Sequence, residues 1–176
     1  MKIRENYDII VETLPDYEFL NKALVRESLI NLERGLVNKT SFSNLVGAEK
    51  IYTDDPSNTS SPLLAQWIGN KIRSYYNRED AGVPITYSID MWFARYNKND
   101  SCTSHDHLPY ALFSFVYFVK TPNGSSPLVF TSSGKKIKAE EGKVVIFPSM
   151  MKHHVPSNKC ENRLVVAGNV MSLRDL

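Results

Sequence analysis

The chain has 176 residues, 42% of them hydrophobic and 23% charged, with 21 Lys and Arg against 19 Asp and Glu. Those proportions suit one soluble globular domain with a real core, and a net charge of +2 supplies no strong drive toward nucleic acid or an anionic membrane. No run of about 18 apolar residues is present to cross a bilayer, and Met1-Lys2-Ile3-Arg4-Glu5-Asn6 lacks an apolar signal core, so the expected location is the cytoplasm, or the host cytoplasm for a viral protein.

Residues 1–83 read as a helical support region within a single domain covering 1–176. Asp16 stands where it can cap a helix that carries Phe19, Leu20, Ala23, Leu24, Leu29 and Leu32 and ends near Gly35. Asp54 to Ser61 reads as a loop. Ser61-Pro62 then opens a second helix, whose Leu64, Ile68, Ile72 and Tyr75 form one stripe suited to covering a sheet. Residues 84–176 change character. Runs rich in β-branched and aromatic residues predict strands at about 85–96, 111–119, 127–131, 143–147 and 163–171, separated by turn signals such as Pro122-Asn123-Gly124 and Ser133-Gly134. Segments 97–103 and 123–126 read as loops at the rim. The class predicted is mainly β with flanking α, a sandwich or small barrel buttressed by helices. Cys102 and Cys160 are expected to be reduced thiols.

All four histidines fall in two clusters, His105-Asp106-His107 and His153-His154. In an extended segment residues two apart point to one side, so His105 and His107 can address one ion while Asp106 points away. The second cluster follows the apolar run Gly142 to Phe147-Pro148, which returns a third imidazole toward the first two. Three protein ligands leave positions open for chemistry, whereas a structural zinc site wants a fourth, from Cys102 or Cys160. A plain surface loop that merely carries histidines is the bland alternative.

Ten residues past His153, Arg163 heads a strand whose alternate residues Val165, Ala167 and Asn169 share its face. A guanidinium on an apolar face wants a carboxylate or phosphate; Glu161 or exposure at the strand end would serve equally. Upstream, Ser88, Asp90, Trp92 and Tyr96 share a face, with Tyr96 able to donate its hydroxyl to a bound carboxylate and Trp92 able to shape a pocket.

In order and spacing, Arg95-Tyr96, His105-x-His107, Phe113 to Val119, Gly142 through Phe147-Pro148 to His153, and Arg163 with Asn169 resemble the 2-oxoglutarate/Fe(II) oxygenases. More narrowly, they resemble the prolyl 4-hydroxylase-like branch with its small bacterial and phage members. The resemblance covers about 84–172. It implies a double-stranded β-helix with Fe(II) at its mouth, held by a His-x-Asp pair and a distal histidine, and an arginine that binds the far carboxylate of 2-oxoglutarate. Carried over by position, His105 matches the first ligand, His153 the distal ligand, Arg163 the co-substrate arginine, and Tyr96 a tyrosine lining the co-substrate pocket. His154 then neighbours the site and faces substrate. His107 stands where most members have the acidic ligand, and Asn169 where a tryptophan is frequent. The implied reaction couples decarboxylation of 2-oxoglutarate, with dioxygen, to hydroxylation of an unactivated C–H bond. A prolyl residue of a peptide or protein is the branch's substrate, with small molecules also open. No nucleic-acid or membrane partner is implied, and no motif names an oligomer. The alternatives are a cupin-like three-histidine metalloenzyme that uses no 2-oxoglutarate, and a non-catalytic barrel.

Overall fold

The computed structural model describes residues 7–38, 44–53, 60–76 and 87–172. The first half supplies β1 (Ile10–Thr13), α1 (Tyr17–Glu33), β2 (Val37–Asn38), β3 (Leu45–Val46), β4 (Glu49–Tyr52) and α2 (Ser60–Tyr76). The second half supplies β5 (Tyr87–Tyr96), β6 (Ser101–His105), β7 (Phe113–Lys120), β8 (Leu128–Phe130), β9 (Lys136–Ile137), β10 (Lys143–Pro148), β11 (His153–Val155) and β12 (Arg163–Ser172).

Two sheets face each other. The larger runs β1-β10-β7-β12-β5-β4-β2 and the smaller β3-β6-β11-β8-β9. The central strands are apolar on both sides because both faces of the large sheet are covered. Phe115, Tyr117, Val144, Ile146, Leu164 and Val166 pack with Leu24, Leu64 and Ile68 of the helices. The alternate residues Val116, Phe118, Val145, Phe147 and Val165 pack against Leu128 and Phe130 of the small sheet. A sheet so enclosed reads in sequence as continuous hydrophobic runs, which is why β7, β10 and β12 were legible, as were β5 and β8.

The helical support region departs from expectation. Besides its two helices it contributes four strands, and these serve both sheets: β1 closes one edge of the large sheet on β10, β4 lies on β5, and β3 lies on β6. Strands of two to four residues carry too few alternations to register as a pattern. Residues 54–59 of the expected loop lie outside the described residues, as do 85 and 86 of the first expected strand. Asp16 does precede α1, but with φ 51° and no side-chain capping bond, so the helix starts without the cap that was anticipated. Phe19 and Leu29 are exposed, and so is Tyr75 at the end of α2. The buried face of α1 instead holds Asn21, Glu27, Ser28 and Asn31 beside Leu20 and Leu24. Its polar groups have partners that explain this. Asn21 donates to the Val119 carbonyl at 2.8 Å and accepts from the Tyr117 hydroxyl at 2.7 Å. Glu27 accepts from the Ser61 hydroxyl, tying α1 to α2, and burial raises its carboxyl pKa.

One glycine is required by close approach rather than by a turn. A Cβ on Gly168, in the centre of β12, would stand 2.5 Å from both the Asp90 carbonyl oxygen and the Phe115 ring. Gly168→Ala is therefore expected to cost about 1–3 kcal/mol of unfolding free energy, measured by chemical denaturation.

Candidate active site

The three histidines meet because two strands and one loop deliver them to the same end of the small sheet. In the β6/β11 pair, His105 and His153 are direct cross-strand partners, and the register shifts immediately after, before Val155. Past His105 the chain leaves the strand; Asp106 turns aside to accept from the Leu108 N–H at 3.3 Å, and the His107 N–H bonds to the Ser149 carbonyl at 3.0 Å. That last bond holds His107 against the β10–β11 connection. The ring centroids of His105 and His153 are 4.4 Å apart, with His107 5.0 Å and 5.3 Å from them. One ligating atom from each of the three lies within 4.8 Å of the others. Nitrogens about 2.1 Å from a shared ion stand about 3 Å apart in a facial arrangement, so a small closing movement completes the site.

Two rings are locked in the tautomer a metal needs. His105 Nδ1 lies 2.8 Å from the Thr103 carbonyl and His153 Nδ1 2.9 Å from the Met151 carbonyl. A carbonyl only accepts, so each Nδ1 carries the proton and each Nε2 keeps its lone pair. Burial, first of all, pushes the His105 pKa down, takes His107 to about 4 and His153 to about 3, with neighbouring imidazoles adding to the effect for the latter two. All three are neutral imidazoles at neutral pH, the form in which a metal could be bound.

A pH dependence follows. An unfolded histidine titrates near 6.5, so below that pH the unfolded chain binds more protons than the folded one. Stability of the metal-free protein is expected to be full above about 6.5 and to fall as pH drops toward 3. Urea titration at about pH 7.5 and about pH 5 checks this, with the lower midpoint expected at the acid pH.

Cys102 is buried nearby, its Sγ 3.7 Å from His105 Nδ1. Burial pushes its thiol up to about 11 in the metal-free protein, and the cluster of possible metal ligands among the described residues contains no cysteine. A structural zinc site with a thiolate ligand does not match this arrangement. Cys102 and Cys160 are both free.

Deeper in the same cavity lies Arg163, opposite Tyr96 in the β12/β5 register and 0% exposed. Its guanidinium carbon sits 4.6 Å from the Tyr96 ring centroid and 5.6 Å from that of Phe118. Nε donates to the Ser126 carbonyl at 3.2 Å, while Nη1 and Nη2, both buried, have no hydrogen-bond partner among the described residues. Neither Glu161 nor any other described acid pairs with it. Burial pulls its pKa down, and the neighbouring Tyr96 opposes the shift. A cation held this way leaves two paired donors for a planar anion, the geometry a carboxylate fills.

The cavity joining these groups has a volume of about 320 Å³. The candidate metal, co-substrate and pocket residues line it: His105, His107 and His153, Arg163 and Tyr96, and also Trp92, His154 and Asn169, whereas Ser88 does not. The strand-alternation argument is what succeeded here, since Asp90, Trp92, Ala94 and Tyr96 of β5 and Arg163, Val165, Ala167 and Asn169 of β12 all face inward. His154 is anchored at its Nδ1 to the Thr131 hydroxyl, 3.0 Å away, and Asn169 accepts from Ser114 at 2.9 Å. Segment 97–103 is not the loop expected: its second half is β6, which carries His105. Sequence reasoning also missed Lys50 and Leu45, which the short N-terminal strands bring to the cavity. No motif marks them.

One buried and two half-buried imidazoles suit a divalent transition metal, and the unpaired guanidinium suits a dicarboxylate reaching inward from it. The residues present thus fit both Fe(II) and 2-oxoglutarate. No protein-family model matches the sequence, and no curated protein does. Solved structures do. A prolyl-4-hydroxylase from Pseudomonas putida superposes with a TM-score of 0.74 at 17% identity, covering 94% of this chain and 92% of its own. This is the prolyl hydroxylase fold, a double-stranded β-helix. A prolyl hydroxylase from Trichoplax adhaerens, in complex with a hypoxia inducible factor oxygen degradation domain peptide fragment, gives 0.72 at 14% identity, over 94% and 83% of the two chains. The viral collagen prolyl hydroxylase of Paramecium Bursaria Chlorella virus-1, as its 2OG complex, gives 0.64 at 14%, over 93% and 96%. Among the described residues, no helix is long and apolar enough to cross a membrane.

Proposed function

We propose that this chain is a 2-oxoglutarate- and Fe(II)-dependent oxygenase that hydroxylates an unactivated C–H bond. The observation that carries the reading is Arg163, fully buried with two unpaired nitrogens in the cavity that the histidine trio opens onto. A metal site alone does not account for that cation; a dicarboxylate does. The likeness to prolyl hydroxylases, one solved with 2OG and another with a peptide fragment, supports the same reading and favours a prolyl residue of a peptide or protein as the carbon attacked.

Bound iron with 2-oxoglutarate and dioxygen would supply oxidative decarboxylation and insertion of one oxygen atom into a C–H bond. The chain's own part is binding and orientation. His105, His107 and His153 would hold the ion through ring nitrogens, two of them fixed by carbonyls. Arg163, stacked on Tyr96, would take the far carboxylate. The apolar walls from Val165, Val116 and Phe147 keep water from that charge pair and so strengthen it. His107 in place of a carboxylate leaves the metal site one unit more positive than in most of the family.

Anaerobic addition of Fe(II) and 2-oxoglutarate tests the reading. The visible charge-transfer band of their chelate is expected. Iron binding without it would favour the cupin-like three-histidine alternative, which the missing acidic ligand keeps in view, and no iron binding would mean a non-catalytic barrel.

A further inference from the structure

Lys50 is the unexplained cation of the cavity. It stands on β4 opposite Ala94 of β5, so its side chain joins the inward row of Trp92 and Ala94. Its Nζ lies 4.1 Å from the Trp92 ring centroid and 5.5 Å from that of Tyr52. Two aromatic faces thus hold the ammonium in place without taking its hydrogen-bond donors. The acid beside it in sequence is engaged elsewhere: alternation turns Glu49 away, and its carboxylate pairs with Arg95, which donates from Nε at 2.6 Å. Asp90 also lines the cavity, but it lies four residues along β5 from the position opposite Lys50, about 13 Å of extended strand, and forms no ion pair with it. Among the described residues no carboxylate lies within ion-pair distance of Lys50 Nζ.

The cavity therefore has two separate cationic positions. Arg163 is fully buried. Lys50 is half-exposed, on the aromatic wall formed by Trp92 and Tyr52. An anion at the first leaves the second unanswered.

We infer that Lys50, held on Trp92, is a specificity-determining group that selects a substrate bearing a carboxylate. This rests on the oxygenase reading and narrows its substrate class. The carboxylate comes either from a free amino or carboxylic acid or from an acidic residue of a peptide, and the test has an arm for each.

The protein is loaded with Fe(II) and 2-oxoglutarate under argon, and the chelate band is recorded first. Without that band the oxygenase reading itself fails. With it, two probe sets are dialysed to equilibrium against the complex and the bound fraction is identified by mass: the free amino acids mixed with their amides, and a randomised library of end-blocked tetrapeptides containing Glu and Gln equally. Expected is enrichment of carboxylates over the matching amides by at least about tenfold in one of the two sets, which names the source. Lys50→Gln should abolish that preference, Lys50→Arg should keep it, and Lys50→Glu should reverse it toward cationic probes, each with its chelate band intact. A band with no retained probe, with acids and amides retained equally, or with a preference that survives in Lys50→Gln would overturn the inference.

Discussion

Arg163→Met is expected to give a protein that is more stable than the parent and unable to bind 2-oxoglutarate. The guanidinium is wholly desolvated, yet among the described residues only Nε has a hydrogen-bond partner, the Ser126 carbonyl. Burying a charge without its partners is unfavourable, and replacing such groups by an apolar side chain of similar size commonly stabilises by about 1–4 kcal/mol. Loss of the Ser126 bond subtracts about 1 kcal/mol. The net effect should therefore be a gain of up to about 3 kcal/mol in the ligand-free protein, read from urea midpoints with the slope unchanged. In the same variant the affinity for 2-oxoglutarate should fall by more than about 100-fold, because a bidentate charge-assisted contact is gone, while metal binding stays. A destabilised variant that still forms the chelate band would remove Arg163 from the proposed role.

His153→Ala and His154→Ala should separate cleanly, though the residues are neighbours. His153 belongs to the trio proposed to hold the metal; His154 lines the cavity but is tied to Thr131. With only three protein ligands, losing one should weaken metal binding by more than about 100-fold, beyond the 10–100-fold typical of groups that merely orient a ligand. His154→Ala should cost less than about tenfold. Anaerobic competition of Fe(II) or Mn(II) against a coloured chelator measures both, and equal losses would mean that the ligand assignment between the two is wrong.

The sequence was most informative where the fold repeats a simple rule. Inward and outward alternation along β5 and β12 placed Trp92, Tyr96, Arg163 and Asn169 on the cavity, and the spacing of the two histidine clusters anticipated the trio. What was hidden depended on partners far away in the chain. β11, three residues long, is a strand because β6 and β8 flank it, and β3 and β4 exist because β6 and β5 offer edges. The burial of Asn21 and the exposure of Phe19 were equally invisible, since Asn21 is admitted to the core by the Tyr117 hydroxyl and the Val119 carbonyl, nearly a hundred residues on. Lys50 eluded motif reasoning for the same cause: its importance lies in Trp92 beneath it.

The strand order has a consequence for how the molecule is made. β12, the most C-terminal strand described, lies between β7 and β5 in the middle of the large sheet, while β1, the first, waits at an edge for β10. During synthesis the two helices and β4 emerge with no sheet to cover, and β5 gains its central neighbour only when residues 163–172 have left the ribosome. Such long-range pairing is slow to form and leaves apolar edges open in the meantime. The final assembly of the barrel, and with it the sealing of Arg163 beneath Tyr96, must wait until β12 has been made, and a chaperone that shields the earlier strands over that interval would have most effect on yield.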